Sequence, residues 1–288
     1  MSIKVNTKKP PKLDIEKVIA EKNPTLKKML PGFVINFMKR ILHQDKLNHY
    51  MKKHNDSMGI DFLDGMLTEM NTSLDIRGLE NLPKEGKCVV ASNHPLGGLD
   101  GIALMVAVAK VRRDILFPVN DILMNIDNLK PLFTPINKHG GSAKNIEVVN
   151  ETFASDHIVC YFPFGLVSRK RKGKIEDLFW RPTFIRKSIE YKRDIIPTHI
   201  DGRNSNFFYN LSNFRKALGI KANLEMFFLA DELFKQENAT LKITFGPAIS
   251  YKIFDDRFTK REWAELIRRY SYKVGQGHTE PFTIPEKM

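Results

Sequence analysis

Short, nearly continuous apolar runs alternate along this chain with longer segments whose hydrophobic residues recur every three or four positions. The runs at residues 88–92, 115–119, 132–137, 158–162, 195–200 and 241–245, with an alternating stretch at 74–79, predict strands. The helical period predicts helices over 101–112, 143–154, 182–192, 213–218, 224–235 and 260–274. Strands and helices in such alternation argue an α/β fold, a mostly parallel sheet covered by helices on both faces. Ahead of the first strand the pattern is helical only, at 15–20, around 30–42 and at 58–70. The expected organisation is a helical N-terminal extension over 1–71, one α/β domain over 72–275, and a tail over 276–288.

The helix around 30–42 has a second reading. Leu30, Phe33, Val34, Phe37, Met38, Ile41 and Leu42 share one face, Asn36, Lys39, Arg40 and His43 lie opposite, and Lys27, Lys28, Lys46, Lys52 and Lys53 flank them. Such a stripe either packs on the core or lies in a membrane interface. The totals bear on this choice. Lys and Arg number 46 against 33 Asp and Glu, a net charge of +13, so an anionic partner is expected, nucleic acid or a membrane surface. Aromatics interleaved with basic residues along a strand, the mark of a nucleic-acid platform, are not evident, so the anionic membrane surface is the expected partner and nucleic acid is not. No run reaches the roughly 18 apolar residues that a spanning helix needs, and the first residues carry no apolar signal core, so no export is expected. With 42% hydrophobic and 27% charged residues the composition is that of a globular domain. Cys88 and Cys160 both fall in apolar runs and make no disulfide framework.

Candidate chemistry gathers in two loops. The first is Ala91-Ser92-Asn93-His94-Pro95-Leu96-Gly97-Gly98-Leu99-Asp100-Gly101, which puts a histidine at a strand end and an aspartate where a helix begins. Strand ends of this kind are where open α/β sheets hold their sites. Asp100 either orients His94 as a general base or simply caps the helix. The second loop, Pro163-Phe164-Gly165-Leu166-Val167-Ser168-Arg169, follows the strand at 158–162 and runs into Lys170-Arg171-Lys172-Gly173-Lys174. That cation run is either a solvated loop or a funnel for anionic headgroups. His199 with Asp201, and Phe179 with Trp180, are lesser candidates for lining the site or touching lipid. No Gly-x-Ser-x-Gly elbow supports a serine hydrolase, and no His-Glu-x-x-His or cysteine cluster supports a metal site.

Together and in this order the loops resemble the glycerolipid acyltransferase family, the lysophosphatidic-acid-acyltransferase-like group, over roughly residues 72–250. Asn93, His94 and Asp100 match its Asn-His-to-Asp block; Phe162, Pro163 and Gly165 match its Phe-Pro-Glu-Gly-Thr-Arg-Ser turn. The resemblance implies His94 as base and Asp100 as its orienting partner. Pro135-Ile136-Asn137-Lys138 stands in place of a family element that contacts the acceptor. Asn137, Lys138, Pro163, Gly165, Ser168 and Arg169 are therefore the implied acceptor-binding residues, with Lys138 and Arg169 on an anionic headgroup. Backbone amides at Gly97 and Gly98 are candidates for holding the oxyanion.

The chain also departs from the pattern. The His94-to-Asp100 loop is one residue longer than the family's, Phe164 replaces the Glu, and Leu166-Val167-Ser168-Arg169 replaces Thr-Arg-Ser. The variant blocks, and Asp201-Gly202-Arg203-Asn204-Ser205, are more similar to the bacterial hemolysin-like branch, which includes O-acyltransferases that complete ornithine and glycine lipids. The implied activity is transfer of an acyl group, from an acyl carrier protein or coenzyme A thioester as co-substrate, to the hydroxyl of a lyso-lipid. No bound cofactor is implied. The implied place is peripheral, on the cytoplasmic side of the inner membrane. Two alternatives stay open: lysophosphatidic acid as acceptor, and a non-catalytic lipid-binding protein with a degenerate site.

Overall fold

The computed structural model describes residues 13–120, 124, 126–136 and 142–286. Five helices come first: α1 (Ile15–Lys22), α2 (Pro24–Met29), α3 (Gly32–Ile41), α4 (Gln44–Lys53) and α5 (Ile60–Glu69). The chain then runs β1 (Ser73–Arg77), β2 (Cys88–Ser92), α6 (Gly98–Ala109), β3 (Ile115–Asn120), β4 (Phe133–Ile136), α7 (Ser142–Ala154) and β5 (Ile158–Tyr161). A hairpin of β6 (Arg169–Arg171) and β7 (Lys174–Glu176) precedes α8 (Thr183–Tyr191), β8 (Asp194–Asp201) and α9 (Asn206–Ala217). A 3-10 segment (Leu224–Phe228), α10 (Leu229–Phe234), β9 (Thr240–Phe245) and α11 (Lys260–Gly275) complete the order.

Seven strands form the main sheet in the order β1-β9-β8-β2-β5-β3-β4, with β2 at its centre. Every neighbouring pair is parallel except β8 and β9. The expected mostly parallel sheet is thus present, with one antiparallel step. The apolar runs are continuous because each central strand is buried on both faces. Cys88 and Val90 of β2 join one core layer with Phe62, Leu63 and Met66 of α5 and Leu104 and Val108 of α6. Val89 and Ala91 face the other layer, with Phe184 of α8 and Trp263 and Ile267 of α11. Both cysteines are buried free thiols, and burial pushes that of Cys88 up to about 12.

Several boundaries differ from the expectation. Helix α6 begins at Gly98, three residues early, so Asp100 lies in its first turn instead of capping it. Helix α9 begins at Asn206 because Ser205 caps it, its hydroxyl accepting from the Phe208 N–H at 3.3 Å. Helices α2 and α4 were not anticipated, nor was the β6–β7 hairpin inside the basic run. The apolar stripe around 30–42 divides: Ile35, outside the stripe, turns inward and is buried, while Phe33 and Phe37 remain exposed.

Candidate active site

At the carboxyl end of β2, Asn93, His94 and Pro95 are held by partners remote in the chain, and Leu96 and Gly97 by Asp100 of the same loop. The Asn93 side chain continues the β2–β8 pairing: its Nδ2 donates to the Ile200 carbonyl at 2.9 Å and its Oδ1 accepts the Ile200 N–H at 2.7 Å. The His94 N–H donates to Asp177 Oδ1 at 3.4 Å, and its carbonyl accepts the Ser168 N–H at 2.7 Å. The Pro95 carbonyl accepts from Asn204 Nδ2 at 3.2 Å. Leu96 and Gly97 donate their N–H groups to Asp100 Oδ2 at 2.7 and 2.9 Å. Gly97 has φ of +94°, and a Cβ there would stand 3.1 Å from Leu229 Cδ2, so the position suits glycine alone.

The same Asp100 oxygen lies 2.9 Å from Nδ1 of His94. Asp100 is fully buried, and its Oδ1 has no hydrogen-bond partner among the described residues. The His–Asp contact forms across the longer loop. Asp100 is not the cap itself but stands third in α6, where one carboxylate accepts the N–H of the capping residue Gly97 and fixes the imidazole. The His94 ring stacks on Phe162, centroids 4.2 Å apart and planes 16° off parallel, and Phe162 in turn meets Phe117 edge-on. With Nδ1 engaged and the side chain 18% exposed, Nε2 is the nitrogen left for an incoming group.

The second loop supports the first. Gly165 closes a turn by donating its N–H to the Phe162 carbonyl at 3.0 Å, and Pro163 beside it is buried. Ser168 is buried, and its hydroxyl donates to Asp177 Oδ1 at 2.6 Å. Asp177 Oδ2 accepts the Trp180 indole N–H at 2.9 Å, and the Asp177 N–H donates to the Tyr272 hydroxyl at 2.7 Å. Burial raises the Asp177 carboxyl above the usual range, although Ser168 and Trp180 act against that rise.

Arg169 corrects an expectation. Its guanidinium is buried, donating to the Val167 carbonyl at 3.0 Å and to Glu225 at 3.1 Å, and it lies over the Phe208 ring. Arg215 reaches the same buried carboxylate through two donors, at 2.5 and 2.8 Å. Burial alone would raise the Glu225 carboxyl, but Arg215 and Arg169 hold it below its ordinary value. The fork of Arg169 is thus spent inside the protein and does not face a headgroup. Gly97 is corrected likewise as an oxyanion donor, since its N–H is committed to Asp100. Gly98 is exposed at the first position of α6, where an N–H has no intrahelical partner.

Asn137 and Lys138 lie outside the described residues. His199 does not line the site; its ring packs against Tyr272 at 5.2 Å beneath α11. Trp180 is core and bonded to Asp177, whereas Phe179 is exposed. Asp177, Tyr272 and Asn204 escaped the sequence reading as supports of the His94 loop, because their partners are far away in the chain. Among the described residues no three His, Cys, Asp or Glu side chains gather as metal ligands do.

A buried carboxylate fixing a partly open imidazole at the end of a central parallel strand is a general-base arrangement. Comparison with known proteins gives the family. The sequence model described as acyltransferase matches residues 17–278, and the chain belongs to that acyltransferase family. It is an enzyme that transfers acyl groups. It is 44% identical over 264 residues to a lyso-glycine lipid O-acyltransferase of Phocaeicola vulgatus, the match spanning 91% of this chain and 95% of that one. A lyso-glycine lipid O-acyltransferase of Bacteroides thetaiotaomicron is also 44% identical over 264 residues, covering 91% of this chain and 97% of its own length. Among solved structures, the 1-acyl-sn-glycerophosphate (LPA) acyltransferase PlsC of Thermotoga maritima aligns at a TM-score of 0.41 and 16% identity, covering 75% of this chain and 80% of that one.

Proposed function

We propose that the chain transfers a fatty acyl group from a thioester, on acyl carrier protein or coenzyme A, to the hydroxyl of a mono-acylated amino-acid lipid. Lyso-glycine lipid is the first acceptor to test. The observation that carries this reading is 44% identity, along nearly the whole length, to two proteins named for that acceptor. The intact His94–Asp100 contact of 2.9 Å favours an active enzyme over a degenerate lipid-binding relative.

In the proposed reaction Nε2 of His94 removes the hydroxyl proton as the lipid oxygen attacks the thioester carbonyl. Asp100 holds the tautomer and stabilises the imidazolium that forms. The tetrahedral intermediate then collapses, the carbon–sulfur bond breaks, and the thiolate leaves with the proton from Nε2. A hydrogen-bond donor at the oxyanion is worth about 3 kcal/mol in such reactions, and the Gly98 N–H is the remaining candidate in this loop. Asn137, Lys138 and the Pro163–Gly165 turn are the proposed acceptor contacts. No bound cofactor enters any step. No helix among the described residues is long and apolar enough to cross a membrane. We place the working enzyme peripherally on an anionic membrane, at the cytoplasmic side of the inner membrane, where thioester donors are made.

The test is acyl transfer by the purified chain, with lyso-glycine lipid, lyso-ornithine lipid and 1-acylglycerol 3-phosphate offered separately with each donor. Transfer to an amino-acid lipid, abolished in His94→Ala, is the expected result. Transfer to the glycerophosphate alone would move the acceptor class, and full activity of the variant would remove His94 from its role.

A further inference from the structure

Among the described residues, most of the large hydrophobic side chains left exposed lie on three segments that meet beside the catalytic loop. Phe33 is 75% exposed, and Phe37 stands one turn further along the same face of α3. Phe214 on α9 is 64% exposed and Leu218, which caps its end, 59%; on the 3-10 segment, Phe227 is 52% exposed. These are one surface. The 3-10 segment packs against both α3 and α9, Phe207 meets Phe228 edge-on at 4.9 Å, and His43, between α3 and α4, reaches Asp231 of α10 at 3.0 Å. An apolar face this large on a soluble chain marks a docking surface.

Its charge says what docks. Residues 24–43 and 206–224 contain no Asp or Glu at all, although the chain has 33 of them. Lys28, Arg40, Lys216 and Lys221 are exposed around the apolar side chains. The basic β6–β7 hairpin closes one side, with Asn213 of α9 donating to the Lys170 carbonyl at 3.5 Å. Burial and the charges of Arg169, Arg171 and Arg215 hold the Lys216 ammonium below its ordinary range, which shows how closely these cations are crowded. A second copy of the chain would set like charge against like charge here. An anionic bilayer satisfies both the apolar centre and the cationic rim.

We propose that this composite face, built from α3, α9 and the 3-10 segment, seats the enzyme on an anionic lipid bilayer, with the second half of the chain supplying much of the inserted surface. The inference rests on the peripheral-membrane part of the proposed function and assigns it to side chains far beyond the N-terminal helices. It also explains how an insoluble acceptor reaches the site. Leu229 and Leu233 of α10 lie against Gly97 and Gly98, and Glu225 on the 3-10 segment holds Arg169, which follows directly on Ser168. The docking elements and the His94 loop are therefore neighbours.

The experiment is flotation of the full-length protein with vesicles of phosphatidylglycerol and phosphatidylcholine in equal parts, and with phosphatidylcholine alone, without acyl substrates. Phe214→Gln with Leu218→Gln tests α9, and Phe33→Gln with Phe37→Gln tests α3; circular dichroism and melting curves check that the exposed substitutions leave the fold intact. Each pair is expected to weaken partitioning to the anionic vesicles by about tenfold or more, and the wild type to prefer them over neutral ones. Both pairs should still acylate a detergent-dispersed lyso-lipid at near wild-type rate, so loss of the acyl-transfer reading would be seen separately. Wild-type flotation of the α9 pair would confine membrane contact to the N-terminal helices and overturn the proposal. So would a wild-type dimer, dissociated by the α9 pair, that ignores vesicles.

Discussion

Oδ2 of Asp100 lies 2.9 Å from Nδ1 of His94 and takes the N–H groups of Leu96 and Gly97 at the same oxygen. Three residues of one loop are thereby locked to a single buried atom. Asp100→Asn keeps the shape and can still accept the two backbone N–H groups, but it removes the charge that stabilises an imidazolium. Its kcat is expected to fall by roughly 10²–10⁴, with the melting temperature changed by only a few degrees. His94→Ala should lose as much activity. Equal turnover of Asp100→Asn and wild type would mean that the carboxylate serves the helix start alone.

The main chain of His94 is clamped between Ser168, which donates to its carbonyl, and Asp177, which accepts its N–H. Ser168 and Asp177 are themselves bonded at 2.6 Å. Both are buried, so the proposed reaction would feel them through the placing of His94. Asp177→Asn is expected to lower kcat roughly 10- to 100-fold through misplacement of the base, with KM for the lyso-lipid held within about twofold. Ser168→Ala should show a milder version of the same split. A raised KM at unchanged kcat would return Ser168 to the acceptor-binding role that the sequence resemblance implied.

Glu225 is a buried carboxylate between two buried guanidinium groups. Glu225→Gln leaves two uncompensated cations facing each other, and removing one partner of a buried charge set typically costs about 3–5 kcal/mol. Thermal or urea unfolding should show a loss of that order. Arg169→Met should also be destabilising, and should leave KM for the acceptor unchanged in the folded fraction. An increase in KM without a change in unfolding would show that Arg169 does hold the headgroup.

These contrasts mark what a linear reading could reach. The strands around β2 were legible because they are buried on both faces, which demands continuous apolar runs. The His94–Asp100 contact was legible because its partners sit within one loop. Asp177 was hidden: it follows Lys174-Ile175-Glu176, reads as solvated charge, and meets His94 across 83 residues. Arg169 was misread for the same reason, since the acid that neutralises it is 56 residues away. The α9 face was missed because the helix was expected only over 213–218, which left Phe207 and Leu211 outside it although they share one helical face with Phe214 and Leu218.

His199 offers a test of the core beneath the site. Burial lowers its imidazole to about 4, whereas an unfolded chain titrates near 6.5. As pH falls from about 6.5 to about 4, the unfolded chain takes up a proton that the folded chain refuses, and stability is lost across that window. The full loss is at most about 3 kcal/mol, the product of that difference in pKa and the linkage factor. His199→Gln removes the titrating group while keeping a planar polar side chain beside Tyr272. Urea unfolding at about pH 7 and about pH 4 should therefore show wild type losing more stability than the variant, by up to that amount. Parallel losses in the two proteins would mean that the imidazole titrates normally in the fold, and that acid sensitivity comes from other groups.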